Sequence, residues 1–183
     1  MNPRLLTNGT LYSPYFIFVR CAGVYADIDL LHRLGIYGFK KDSAPSSTKS
    51  SIFVTEDREW VHVADDWLYT LWHLATVNAA IPSLAKNHDV FTCSVGDADN
   101  SFDFEYFHDG NSVRKYVVED SEYRRGLVVE DFGSPLPSEA EAMNQPDPLI
   151  AVLEIAHSLG INTLHDPTLI RAYTKEHNIR PDR

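Results

Sequence analysis

The stretch from Phe102 to Val117, with Asp109-Gly110 at its centre, constrains the fold more than any other part of the chain. Asp-Gly between two runs of strand-forming residues is a strong hairpin signal, because both central positions of a type I′ turn need positive φ. With His108 and Asn111 as the flanking pair, counting back sets Tyr106 opposite Val113, Glu105 opposite Arg114, Phe104 opposite Lys115 and Phe102 opposite Val117. Side chains alternate across a strand. In this register Phe102, Phe104, Tyr106, Val113 and Val117 form the core face, and Asp103, Glu105, Arg114 and Tyr116 point the other way.

The flanking segments supply further elements. Tyr12 to Cys21 is aromatic and β-branched, as a buried strand requires. Val24, Ile28, Leu31 and Leu34 make a helical stripe that Gly35 can close. Lys40 to Ser51 is polar and of low complexity, and reads as a surface loop; its Lys40, Lys41 and Lys49 are better explained as solvated charges than as an anion site. Ile52 to Thr55 and Glu59 to Ala64 flank Glu56-Asp57-Arg58 as a hairpin. Asp65 or Asp66 then caps a long helix whose apolar positions include Trp67, Leu68, Leu71 and Leu74, with Pro82 near its far end. Asp89 to Val95 and Gly126 to Asp131 read as two more strands. Gly133 to Pro148 is a linker or surface wrap, Leu149 to Leu159 an amphipathic helix closed by Gly160, and Asp166-Pro167 the start of another helix.

With 183 residues and 44% hydrophobic content, the chain can bury one good core but not two. The expected architecture is a single α+β domain over residues 1–183. It has an antiparallel sheet of about five to seven strands, a long helix packed on one face and C-terminal helices alongside.

Charge is distributed very unevenly. Residues 89–147 hold fourteen acids and four bases, a net of −10, while the remaining residues balance at twelve of each. Such a field attracts cationic partners and argues against nucleic acid, whose phosphates need a basic stripe. The candidate docking residues are Asp97, Asp99, Asp103, Glu105, Glu119, Asp120 and Glu122, on the hairpin's exposed face and its adjoining loops. Solubility alone also accounts for a net charge of this sign.

Other chemistries lack a signature. Asp97, Asp99, Ser101 and Asp103 alternate like calcium ligands, but Phe102 stands where the loop needs Gly and His108 where it needs Glu. The eight histidines make no metal spacing, and the isolated glycines make no phosphate-cradling loop. No Gly-x-Ser-x-Gly elbow supports a nucleophilic triad. Cys21 and Cys93 lie in apolar runs and are expected to be buried free thiols. The start has no continuous apolar region and no run approaches a membrane span, so a cytoplasmic protein with no membrane partner is expected.

The run from Asp89 to Phe107, followed by the Asp-Gly turn and Val113 to Glu119, resembles small acidic α+β bacterial proteins of the toxin-immunity type. The likeness covers residues 50–132 and is one of strand, turn and strand. It implies a binding protein with no catalytic residues and no cofactor. The leading reading is an acidic, non-catalytic domain that docks or neutralises a basic protein partner such as a toxin. The alternative is a small enzyme or ligand-binding domain with a pocket between sheet and helix, lined by His62, Trp67, Tyr69 and His73. A structural subunit that works as a homo-oligomer is a third class.

Overall fold

The computed structural model describes residues 15–43, 51–65, 71, 74–96, 99–121 and 124–175. Among the described residues there are nine strands, β1 (Tyr15–Val19), β2 (Phe39–Asp42), β3 (Ser51–Asp57), β4 (Trp60–Asp65), β5 (Val90–Val95), β6 (Phe102–His108), β7 (Asn111–Ser121), β8 (Arg124–Gly133) and β9 (Arg171–Lys175). The helices are α1 (Asp27–Arg33), α2 (Ala75–Leu84), α3 (Glu139–Ala142) and α4 (Pro148–Ser158). All nine strands join one sheet in the order β2-β9-β3-β4-β1-β5-β6-β7-β8, with every neighbouring pair antiparallel. The expected five to seven strands and long helix are therefore corrected to a nine-stranded sheet with short helices.

Both faces of the sheet are covered. Tyr15, Ile17, Val19, Ile52, Val54, Val61 and Val63 pack against α1 and α2 through Leu30, Leu31, Leu34, Val77, Ile81 and Leu84. The opposite face carries Phe16, Phe18, Phe53, Trp60, Ala64, Phe91, Cys93 and Phe104 against Ala142, Val152, Ile155 and Ala156 of α3 and α4. This is why β1 is apolar at every position rather than at alternate ones: it is buried on both sides. Cys21 and Cys93 are free and buried.

The helix expected from Asp65 or Asp66 begins instead at Ala75, after Leu74 in an extended conformation. Asp65 ends β4 and is itself buried; its carboxylate accepts from the backbone N–H of Tyr15 at 3.1 Å and of Leu71 at 2.9 Å. It thus fastens a turn to the central strand rather than capping a helix. Asp66, Trp67, Leu68, Tyr69, Trp72 and His73 lie outside the described residues. At the C-terminal end, Asp166 caps only a single 3-10 turn, its carboxylate accepting from Thr168 N, and the chain continues into β9. That strand enters the sheet between β2 and β3, both of which need a partner; β2 itself occupies part of the expected loop.

The Asp109-Gly110 turn forms with φ of 50° and 78°, and His108 faces Asn111 as expected. Beyond Phe107↔Ser112 the register shifts. Tyr106 faces Arg114, Glu105 faces Lys115, Phe104 faces Tyr116 and Phe102 faces Val118, leaving Val113 as the extra residue of a β-bulge. Phe102, Phe104 and Tyr106 do lie on the α4 face, but one added residue turns β7 over. Arg114, Tyr116 and Val118 join that face, while Lys115 and Val117 join Asp103 and Glu105 on the other. Gly133 helps fix the shift. Paired with Arg114 at φ 84°, it sits so close that a Cβ would lie 2.0 Å from the Val113 carbonyl oxygen.

Arg114 is consequently buried. Its guanidinium forks onto Glu139 through Nε–Oε2 at 3.0 Å and Nη2–Oε1 at 2.5 Å, and donates to Asp131 Oδ1 at 2.5 Å and the Phe132 carbonyl at 2.9 Å. It lies 5.2 Å from the Tyr116 ring centre. Glu139, also buried, accepts the Leu136 backbone N–H at 2.8 Å. Removing Arg114 leaves Glu139 buried and charged without its cation, so Arg114→Met should cost about 3–5 kcal/mol in denaturant unfolding, whereas Arg114→Met with Glu139→Leu should recover a large part of it. A single substitution costing under ~1 kcal/mol would show that the pair carries little.

Candidate functional site: an acidic hollow on the sheet

The half of the sheet beyond β1 is only partly covered on the α2 face, where a cavity of about 520 Å³ opens. Its floor comprises Thr92 on β5, Asp103 and Glu105 on β6, Lys115 and Val117 on β7 and Glu130 on β8, with Tyr15 of β1 and Asn78 and Ile81 of α2 on its inner side. Glu105 is registered between Thr92 and Lys115, and Asp103 between Ser94 and Val117. Lying two apart on one strand, the carboxylates of Asp103 and Glu105 project to the same side. The one cation in the lining, Lys115, is bonded to Glu130 at 2.8 Å.

Burial pushes the Asp103 carboxyl up to about 6, against the Ser94 hydroxyl that donates to it; neighbouring Glu105 pushes in the same direction and Lys115 opposes. The Tyr15 phenol is also raised by burial, despite its bond to Thr92, and stays neutral. Lys115 is held charged mainly by its bond to Glu130. With Asp103 ionised, three carboxylates surround one ammonium, so the lining carries an excess of two negative charges. A positively charged group entering the hollow would relieve that excess and draw Asp103 into its ionised form.

Of the acids singled out from sequence, the structure brings Asp103 and Glu105 together here. Asp99 is exposed in the β5–β6 connection and accepts from Ser101 N at 2.9 Å. Asp120 accepts from Gly126 N at 2.9 Å and lines a smaller, 210 Å³ hollow on the α4 face with Phe102 and Val118. Glu119 is registered opposite Leu127. Asp97 and Glu122 lie outside the described residues. Lys115, Glu130, Asn78, Tyr15 and Thr92 escaped the sequence reading. The signal for Lys115 and Glu130 was their place in expected strands, but the bulge hid which way Lys115 faces.

His62 does not border a cleft beside α2. It is fully buried on the α4 face, edge-on to Phe18, with Nδ1 2.9 Å from Nε2 of His165 and with Nε2 unpartnered. Burial, then the neighbouring His165, pulls its pKa down to about 2; burial also lowers His165, against the field of Asp57. Trp67, Tyr69 and His73, the other residues of that expected pocket, are outside the described residues. Among the described residues no group of His, Cys, Asp and Glu is arranged to hold a metal ion, and no helix is long and apolar enough to cross a membrane.

Comparison with known protein families, with curated proteins and with solved structures found no match for this chain.

Two opposite pH dependences follow. His62 and His165 are held neutral in the fold by burial but bind protons when unfolded, so the stability this contributes is present above about pH 6.5 and is lost progressively as pH falls below it. Asp103 is raised, so its contribution runs the other way: ionising it in the fold costs stability as pH rises from about 4 through 6. Denaturant curves from pH 4 to 8 should show Asp103→Asn gaining on the unsubstituted protein as pH rises, and His62→Leu/His165→Leu gaining as it falls. Parallel profiles would contradict both assignments.

Proposed function

We propose that this chain is a non-catalytic binding domain that seats a cationic side chain of a basic protein partner in the acidic hollow. The observation that carries this reading is the juxtaposition of Asp103 and Glu105 in a concave surface whose lysine is already bonded to another carboxylate, Glu130. A lysine or arginine entering there meets two carboxylates held on a rigid sheet, where less side-chain freedom is lost on binding than at a mobile loop. The surrounding negative field speeds the encounter. A basic toxin is the kind of partner that the sequence resemblance implies, and its chemistry fits this hollow; such a pairing needs no cofactor.

The test uses a short arginine-containing peptide as probe and follows the backbone amide resonances of the full chain. Shifts centred on Thr92, Asp103, Glu105 and Lys115, abolished by Asp103→Asn/Glu105→Gln, are expected. Affinity should weaken as pH falls through 6, where Asp103 takes up a proton, and as salt is added. Shifts spread evenly over exposed acids such as Asp99 and Asp109, unchanged in the double variant, would reduce the charge to a solubility feature.

A further inference from the structure

The segment joining α4 to β9 crosses the α4 face of the sheet, opposite the acidic hollow. From 161 to 166 its residues alternate, with Ile161, Thr163 and His165 buried and Asn162, Leu164 and Asp166 exposed. It is therefore an extended strap that turns every second side chain inward. Ile161 joins the apolar core of that face, but two of the strap's holds are polar. Thr55 of β3 donates to the Leu169 carbonyl at 3.3 Å, and His165 meets His62 of β4, Nε2 to Nδ1, at 2.9 Å. The two ends are anchored separately. Val152, Ile155 and Ala156 seat α4 in the core, and Arg171 and Tyr173 tie β9 to Asp27 at 2.8 and 2.7 Å.

The histidine pair holds its neutral complement of protons well and an added one badly. One proton lies in the 2.9 Å gap between the rings, and the outer nitrogen of one ring carries the other. An added proton fills every position, so it puts an N–H on His62 Nε2, which is buried and has no partner, on a ring set edge-on to Phe18. A buried donor without an acceptor, on a charged pair, is costly whichever tautomers the neutral rings adopt. Parting the rings removes that cost, because His62 stays neutral and His165 takes the charge outward. Among the described residues, the field at His165 is that of Asp57 on β3, which favours its proton, and the field at His62 is that of His165. Asp57 Oδ2 is itself buried without a partner and can accept the ring N–H. β1 presents the uncharged Phe18. His157, at the end of α4, is exposed and lies 3.0 Å from the Thr163 hydroxyl, and Asp166 of the strap is exposed and bonded to Thr168.

We infer that His62 and His165 form a proton-operated latch: a proton taken up by the pair parts the rings, His165 turns toward Asp57, and the strap 161–170 lifts from β3 and β4 while the sheet beneath stays paired. The separate anchors of α4 and β9 confine the opening to the strap, so acid acts on it by local unfolding before it acts on the whole fold. Lifting the strap uncovers His62 and the edge of Phe18. The latch sits on the face away from the hollow, so the docking of a basic side chain and the release of the strap can each fail without the other.

Nuclear magnetic resonance of the full chain, followed as pH is lowered from about 8, tests the latch on the imidazole and backbone amide signals together. Below about pH 6.5 the through-space contact between the two rings should be lost. At the same midpoint the amides of 161–170 should move to unfolded-chain positions, while those of β1, β4 and β5 keep theirs. In Asp57→Asn the midpoint should shift to lower pH, because the field that favours a proton on His165 is gone. The His62→Leu/His165→Leu protein should keep its strap signals unmoved across the range. Strap and sheet signals that change only together would make the effect one of global unfolding and overturn the inference. So would a strap that stays in place after the pair has taken up its proton, or a midpoint unmoved in Asp57→Asn. If the double leucine variant fails to fold, the unsubstituted protein and Asp57→Asn decide.

Discussion

The buried fork between Arg114 and Glu139 governs how the outer half of this protein is assembled. A guanidinium so enclosed must have its donors met, and here two carboxylates and two backbone carbonyls meet them. Glu139 starts α3, and Asp131, Phe132 and Gly133 end β8, so one side chain from β7 gathers three successive parts of the chain. The 133–148 stretch is rich in Pro, Ser and Glu, yet it is not a loose wrap: Glu139 is drawn inside, and α3 packs with α4 over Phe104 and Phe91.

The bulge at Val113 decides which cation goes where. It sends Arg114 into the core and Lys115 into the hollow, where each finds its own carboxylate partner. Without it, Arg114 would stand beside Asp103 and Glu105, neutralising the hollow and leaving Glu139 buried without its partner. One inserted residue therefore sets both the stability of the α4 face and the charge of the opposite one.

Much of this was legible in sequence where the determinants are local. The Asp109-Gly110 turn follows from backbone sterics, the shared face of Phe102, Phe104 and Tyr106 from alternation, and α4 from the helical stripe of Leu149 to Leu159 closed by Gly160. The Val113 bulge was not legible, because the bare α-carbon of Gly133 that accommodates it lies twenty residues away and matters only once β8 is in place. Strands β2 and β9 are short and mixed in polarity, and their pairing is visible only in the assembled sheet. Likewise Asp103 and Glu105 could be recognised as exposed charges, but not as the floor of a cavity, since the cavity exists only where α2 passes Tyr15 and β8 delivers Glu130.

The place of β9 carries a consequence for how the protein is made. Arg171 and Tyr173 hold Asp27 of α1 across more than 140 residues, and β9 separates β2 from β3, two strands formed from the first third of the chain. A nascent chain emerging from the ribosome therefore has β2 and β3 long before it has the strand that joins them. Contacts so distant in sequence slow folding and leave strand edges open meanwhile. The gap in the sheet can close only when synthesis has passed Lys175, so this fold is completed after translation of its last strand rather than by growth outward from its first.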